Sequence, residues 1–298
     1  MKIGVALPTM AEGYSRATTL EWSAGIDAGP YSSISCGERI TFRNVEMMVT
    51  LSAAAALTER VKVFANLVVA PFHPAALAAK ELATLDVLCD GRLVVGVGVG
   101  GREHDYRAAD SSFDNRHERL DQAVAEMRSI WAGNAPFEGA DPVGPTPVQG
   151  DGIEILAGAM GPKGLGRAAK WADGVSGFAL TADGHEIRES AEAAKAQWHR
   201  AGRDAGPRFI TGCFYLLGTP DPQAELRQFT YDYLEIFGKT IARSLADDAP
   251  VWNPARLERV LDDAAAAGAD EFILVPGTVD PACLAATTEV VGNWLASR

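Results

Sequence analysis

The sequence predicts a single (β/α)8 TIM barrel spanning residues 1–298, and three observations lead there. Strand-like and helix-like segments alternate along the chain. With 298 residues and 47% hydrophobic content, it can bury one large core. Finally, Pro71–Tyr106 sets a helix and a glycine-studded strand in immediate succession. Alternating βαβα order makes a parallel sheet, and eight strands with that period favour a closed barrel over an open doubly wound sheet.

The first strand is the apolar run Ile3–Leu7, followed by a helix over Thr18–Ala28 and a strand over Tyr31–Ser35. A helix over Val45–Thr58 leads to the third strand, Val61–Val69. Pro74 opens the next helix, Ala75–Leu88, at its first turn. Leu77, Glu81, Leu82, Leu85 and Leu88 then form a mostly apolar stripe, and Gly91 stops the helix. The fourth strand is Leu93–Val99, where Gly96, Gly98 and Gly100 remove side chains so that something flat could approach. Strands at Ile153–Ala157, Gly174–Phe178, Phe209–Leu217 and Glu271–Val275 complete the eight. Helices over Glu118–Trp131, Gly164–Trp171, Asp183–Ala201 and Ala282–Leu295 lie among them.

Three segments exceed a minimal barrel and are candidates for function: Gly101–His117, Pro136–Gly152 and Thr219–Pro254, the last with extra helices. The first follows the fourth strand, where barrel enzymes place their sites, and its content (Arg102, Glu103, His104, Asp105, Tyr106, Phe113) suits a lid or an ordered surface loop. In the third, Phe229, Tyr231, Tyr233 and Phe237 either wall a pocket or pack helices.

Gly96, Gly98 and Gly101 satisfy G-x-G-x-x-G, but a dinucleotide site needs a helix to begin at the third glycine, and a charged loop is expected there instead. A second cluster, ILAGAMGPKGLGRAAKWADG, is better suited to an anion. Its strand runs into Gly158-Ala159-Met160-Gly161, and Pro162 opens a helix whose free N–H groups can meet phosphate. No H-E-x-x-H, G-x-S-x-G or G-x-x-x-x-G-K-[ST] is present, so the sequence provides no metal centre, hydrolase elbow or triphosphate loop. Missing covalent and metal chemistry, beside surfaces for a phosphate and a flat ring, points to a borrowed redox cofactor.

The formal charge of -12, without a basic run, argues against nucleic acid and anionic membranes as partners. No apolar run approaches the roughly 20 residues of a membrane span. Ile3 enters a strand without a basic leader, and Cys36, Cys89, Cys213 and Cys283 form no C-x-x-C. A cytoplasmic protein with reduced thiols is expected.

Most of the chain resembles the luciferase-like monooxygenase family. The blocks that carry the likeness are HPAALAAKELATLDVLCDGRLVVGVGVGG, RHERLDQAVAEMRSIW and LAGAMGPKGLGRAAKWADG, in that order. The resemblance implies a barrel flavoprotein, usually a homodimer, holding FMN or the deazaflavin coenzyme F-420 at the C-terminal mouth of the strands. It acts on a small-molecule substrate by hydride or oxygen transfer. It further implies a third-strand bulge within Asn66, Leu67, Val68 and Val69 behind the ring, Gly98 and Gly100 beside it, and Gly158, Ala159, Met160 and Gly161 at its phosphate or tail. Where the family often has Glu-His after the second strand, this chain has Gly37-Glu38-Arg39, so His73 and His104 are the remaining candidate proton donors. Ala79-Lys80 and the GGREHDY loop lean toward the deazaflavin branch. The alternatives are a non-catalytic flavin-binding barrel, or a cofactor-free isomerase for which the sequence offers no acid–base pair.

Overall fold

A computed structural model describes residues 1–249 and 251–298; Pro250, inside the third long connection, lies outside the described residues. The eight strands are β1 (Lys2–Ala6), β2 (Ser33–Cys36), β3 (Lys62–Val69), β4 (Leu93–Gly98), β5 (Glu154–Ala157), β6 (Gly174–Ser176), β7 (Arg208–Tyr215) and β8 (Glu271–Pro276). They close in sequence order into a barrel, every neighbouring pair parallel and β8 returning to β1. Alternate residues point inward, and Ala6, Phe64, Val94, Leu156, Ile210 and Ile273 fill the interior as one apolar layer.

The helices are α1 (Arg16–Ala28), α2 (Met47–Leu57), α3 (Ala75–Leu88), α4 (Glu103–Ala108), α5 (Arg116–Trp131) and α6 (Pro162–Ala168), then α7 (Gly184–Arg200), α8 (Pro222–Leu234), α9 (Lys239–Asp247), α10 (Pro254–Ala266) and α11 (Pro281–Ala296). Their starts are written in local chemistry. Asp221, Asn253 and Asp280 each accept a backbone N–H as N-cap, and a proline follows at the first helical position, where its missing donor costs nothing. The turn after α3 closes at Gly91, which adopts φ 72 and sends its N–H back to Asp86 O at 2.9 Å.

Several expectations are corrected. The buried face of α3 is Ala78, Ala79, Leu82, Ala83, Leu85 and Asp86, so Leu77 and Leu88 point outward. α10 fills the β7–β8 crossover with a face of Leu257, Val260, Leu261 and Ala264 that the strand-and-helix pattern left unassigned. The segment after Gly101 is the short helix α4, not a loop, yet the closed barrel excludes an open dinucleotide fold. Pro136–Gly152 is not at the mouth: Gln149 bonds Asp86 and reaches Leu93 O at 2.9 Å, at the start of β4. That end of the barrel is closed by polar side chains. Arg208 binds Glu154 and Glu271, and Ser32 and Ser33 each donate to Glu271 Oε1 at 2.6 Å.

Candidate active site

A cavity of about 560 Å³ opens at the opposite end, among the C-terminal tips of the strands. That volume falls within the roughly 300–1,000 Å³ of small-molecule sites. One wall is built by β3. Its pairing with β4 shifts register between Ala65 and Val68, and the Asn66–Leu67 peptide is cis. Asn66, Leu67 and Val69 line the cavity, whereas Val68 turns into the core at 4% exposure. Asn66 Oδ1 accepts a hydrogen bond from Ser176 Oγ of β6 at 2.8 Å, which holds the bulge against the far side of the barrel.

The glycines of β4 and of the turn after β5 serve this bulge. A Cβ on Gly98 would stand 3.0 Å from Leu67 Cδ1, one on Gly158 would collide with Leu67 Cδ2, and one on Gly96 would press on Asn66 Oδ1 at 3.2 Å. Gly100 has φ +59 and faces Val69. Gly100 and Gly158 border the cavity, while Gly98 lies beneath Leu67.

In the turn after β5, Gly158 N–H donates to Val97 O at 2.7 Å and Ala159 N–H to Ala157 O at 3.0 Å, so those two amides are already occupied. Met160 lines the cavity with its side chain 66% exposed. Gly161 caps α6 with open space where its Cβ would be. The amides of this turn not paired in that way are those of Met160, Gly161 and the first turn of α6, past the start of the predicted turn.

The β2–α2 connection crosses the rim. Glu38 lines the cavity, accepts from Val69 N at 2.6 Å, and lies 2.8 Å from His73 Nε2. Burial alone would push His73 down, but its hydrogen bond to Glu38 and the charges of Glu38, Glu81 and Glu46 prevail and hold it above the usual imidazole value. His73 thus stands one side chain behind the wall. His104 does not share that position; it is exposed on α4 and contributes nothing to the lining. Cysteine chemistry is closed off as well, since all four thiols are free and buried, and burial pushes Cys36, nearest the mouth, up to about 12.

Sequence reasoning passed over Arg39 as a site residue and placed Arg102 only in a lid. Both line the cavity, at 9% and 7% exposure. Arg39 stacks 3.7 Å from the Phe42 ring centroid, and both guanidinium carbons approach Tyr233, at 5.0 and 5.1 Å. Burial, then the neighbouring Arg102 charge, lowers Arg39 to about 10. The connections carrying them are joined by Asp105, which accepts from Thr41 N at 2.7 Å and from the Thr41 hydroxyl. Of the aromatic residues in the third connection, Tyr233 and Phe237 line the cavity, Phe229 packs below it against Phe214, and Tyr231 points to Glu235.

Luciferase-like monooxygenase is the family whose profile matches residues 1–296 of this chain. An uncharacterised protein of Mycobacterium bovis is 30% identical over 176 residues, covering 56% of this chain. The match spans 61% of that relative, about three fifths of its length. Two solved structures share the fold. An F-420-dependent secondary alcohol dehydrogenase in complex with an F-420–acetone adduct superposes with TM-score 0.78 at 17% identity, covering 98% of this chain and 99% of that one. The oxygenating constituent of 3,6-diketocamphane monooxygenase of Pseudomonas putida, in complex with FMN, gives 0.73 at 15%, covering 100% and 99%.

Proposed function

Because the chain belongs to the luciferase-like monooxygenase family, we propose that it is an oxidoreductase using coenzyme F-420 or FMN in the mouth cavity to transfer hydride or oxygen to or from a small organic substrate. The observation that carries this reading is the open cavity of about 560 Å³ walled by the Asn66–Val69 bulge. The residues present fit such a group. The bulge and Gly100 offer a flat apolar surface, and Asn66 and Ser176 are polar groups at its edge. Past Gly158, the backbone at Met160 and Gly161 is open to a phosphate-bearing tail. When bound, either ring supplies hydride transfer, and FMN in addition supplies activation of dioxygen.

The chain's own part is to bind, orient and exclude water. Leu67 and Val69 shape one wall, and Phe178, Phe214 and Tyr233 close others, so a ligand here exchanges water for apolar contact. Glu38 is the acidic side chain nearest the bulge end, and its contact with His73 gives a short path for a proton at Glu38 Oε1. His73 is accordingly a positioning residue in this reading.

A non-catalytic flavin-binding barrel would need side chains filling the space above the bulge. The volume of the cavity and the polar side chains facing it favour an enzyme. We further infer a homodimer, supported by apolar side chains exposed on α2 and α3, with Val49 at 72% and Leu77 and Leu88 at 48%. Among the described residues no helix is long and apolar enough to cross a membrane. The four free thiols and the charge of -12 support a cytoplasmic protein that avoids nucleic acid.

An absorbance titration of the purified protein with FMN and with coenzyme F-420 tests the proposal. Saturable uptake of one of them is expected. Failure of both to bind would overturn it.

A further inference from the structure

Two arginines at the cavity rim carry more donors than the protein satisfies. Nε and Nη1 of Arg39 and Nη1 of Arg102 are buried without a hydrogen-bond partner among the described residues. Both side chains are more than nine-tenths buried and both line the cavity. Arg102 spends one nitrogen on Tyr233 O at 2.9 Å.

Asp105, whose charge acts on both arginines, hydrogen-bonds neither of them among the described residues, and the other nearby carboxylates are engaged elsewhere. Asp105 is turned to Thr41, Glu38 to Val69 and His73, and Asp232 to Arg43. Stacking on Phe42 and Tyr233 fixes the guanidinium faces and leaves these buried N–H groups unpaired. Two like charges held together in a half-dry rim, with edges unpaired, are costly unless an anion joins them. A carboxylate matches the planar fork of a guanidinium and is small enough to be shared by two.

On the oxidoreductase reading above, we propose that Arg39 and Arg102 form an oxyanion clamp for the substrate, which is a small organic acid. Its carboxylate seats between the two guanidinium edges while its carbon skeleton enters the apolar cavity. The clamp is contributed by the β2–α2 and β4–α4 connections, and the cofactor tail is assigned to the turn after β5. Substrate and cofactor anions therefore have separate holders.

Calorimetric titration with benzoate and with its neutral isostere benzamide tests the clamp. Benzoate is expected to bind at least roughly tenfold more tightly, the scale of a charge-assisted hydrogen bond that the neutral amide does not make. Arg39→Met and Arg102→Met should each erase the preference, and Arg39→Lys, which keeps the charge but not the fork, should retain part of it. Thermal melting of each variant verifies that it is folded. Equal affinity for the two probes, or a preference that survives in both Met variants, overturns the proposal. A parallel cofactor titration separates the two readings. The Met variants should bind FMN or coenzyme F-420 like the wild type, and a tenfold loss there would assign the arginines to the cofactor and overturn the clamp. Wild-type protein that takes up neither cofactor yet still prefers benzoate would sustain the clamp and overturn the oxidoreductase assignment.

Discussion

Leu67 occupies the space that any side chain on Gly158 would need: a Cβ built there collides with Leu67 Cδ2, and one on Gly98 meets Leu67 Cδ1 at 3.0 Å. The glycines of β4 and of the turn after β5 are thus the counterpart of the β3 bulge, not simply vacant places for a ligand. Gly158→Ala should lower stability by about 1–3 kcal/mol, the usual cost of overpacking. Combining it with Leu67→Ala should recover much of that loss. Urea unfolding of the single and double variants measures the coupling, and strictly additive effects would refute the contact.

Gly161 behaves differently. Its φ of -92 is open to any residue and its Cβ would meet nothing. Gly161→Val should leave stability within about 0.5 kcal/mol of the parent, as surface changes usually do. It should weaken cofactor affinity by covering the amides beside Met160. Unchanged affinity in an absorbance titration would remove the tail from this turn.

The Glu38–His73 pair makes stability depend on pH. His73 is raised in the folded protein above its unfolded value near 6.5. Its contribution is therefore fully present below that value and is lost as pH rises through the folded one. Glu38→Gln should return the His73 titration toward the ordinary range, since burial is then opposed only by the smaller effects of Glu81 and Glu46. A histidine NMR titration checks it, and an unshifted midpoint would show that the pair does not govern His73.

Asp105 is 3% exposed and accepts two hydrogen bonds from Thr41. Asp105→Ala should cost about 1–3 kcal/mol by leaving the Thr41 donors unpaired. It should also loosen the link between the connections that carry Arg39 and Arg102. Amide hydrogen exchange at residues 39–44 is the readout, and unchanged protection would mean that other contacts hold the rim.

The eight strands are legible in the sequence to within a few residues, because each is a short apolar run buried on both faces and bounded by helix patterns. The location of the bulge is legible through the family resemblance. The partner of its glycines is not, since nothing local to Gly158 announces that Leu67 will lean over it. Pro136–Gly152 carries a signal of its own: it follows α5 and precedes β5, and in a barrel such αβ connections lie at the end away from the active site. α10 has Asn253, then Pro254, then Leu257, Val260, Leu261 and Ala264 at helical spacing, yet it merges with a long connection when only strands are counted. Arg39 and Arg102 escape for a physical reason. An arginine in a loop is ordinarily solvated, and only the closure of Phe42, Tyr233 and Phe237 around these two reveals that they are buried.

Whether a redox ring rests against the β3 bulge at the barrel mouth is decided by a crystal structure of the protein saturated with whichever of FMN or coenzyme F-420 it binds. The ring is expected in contact with residues 66–69 and Gly100, with its tail running past Gly158 to Met160 and Gly161. A ring seated elsewhere, with residues 66–69 untouched, would contradict the proposed function at its root.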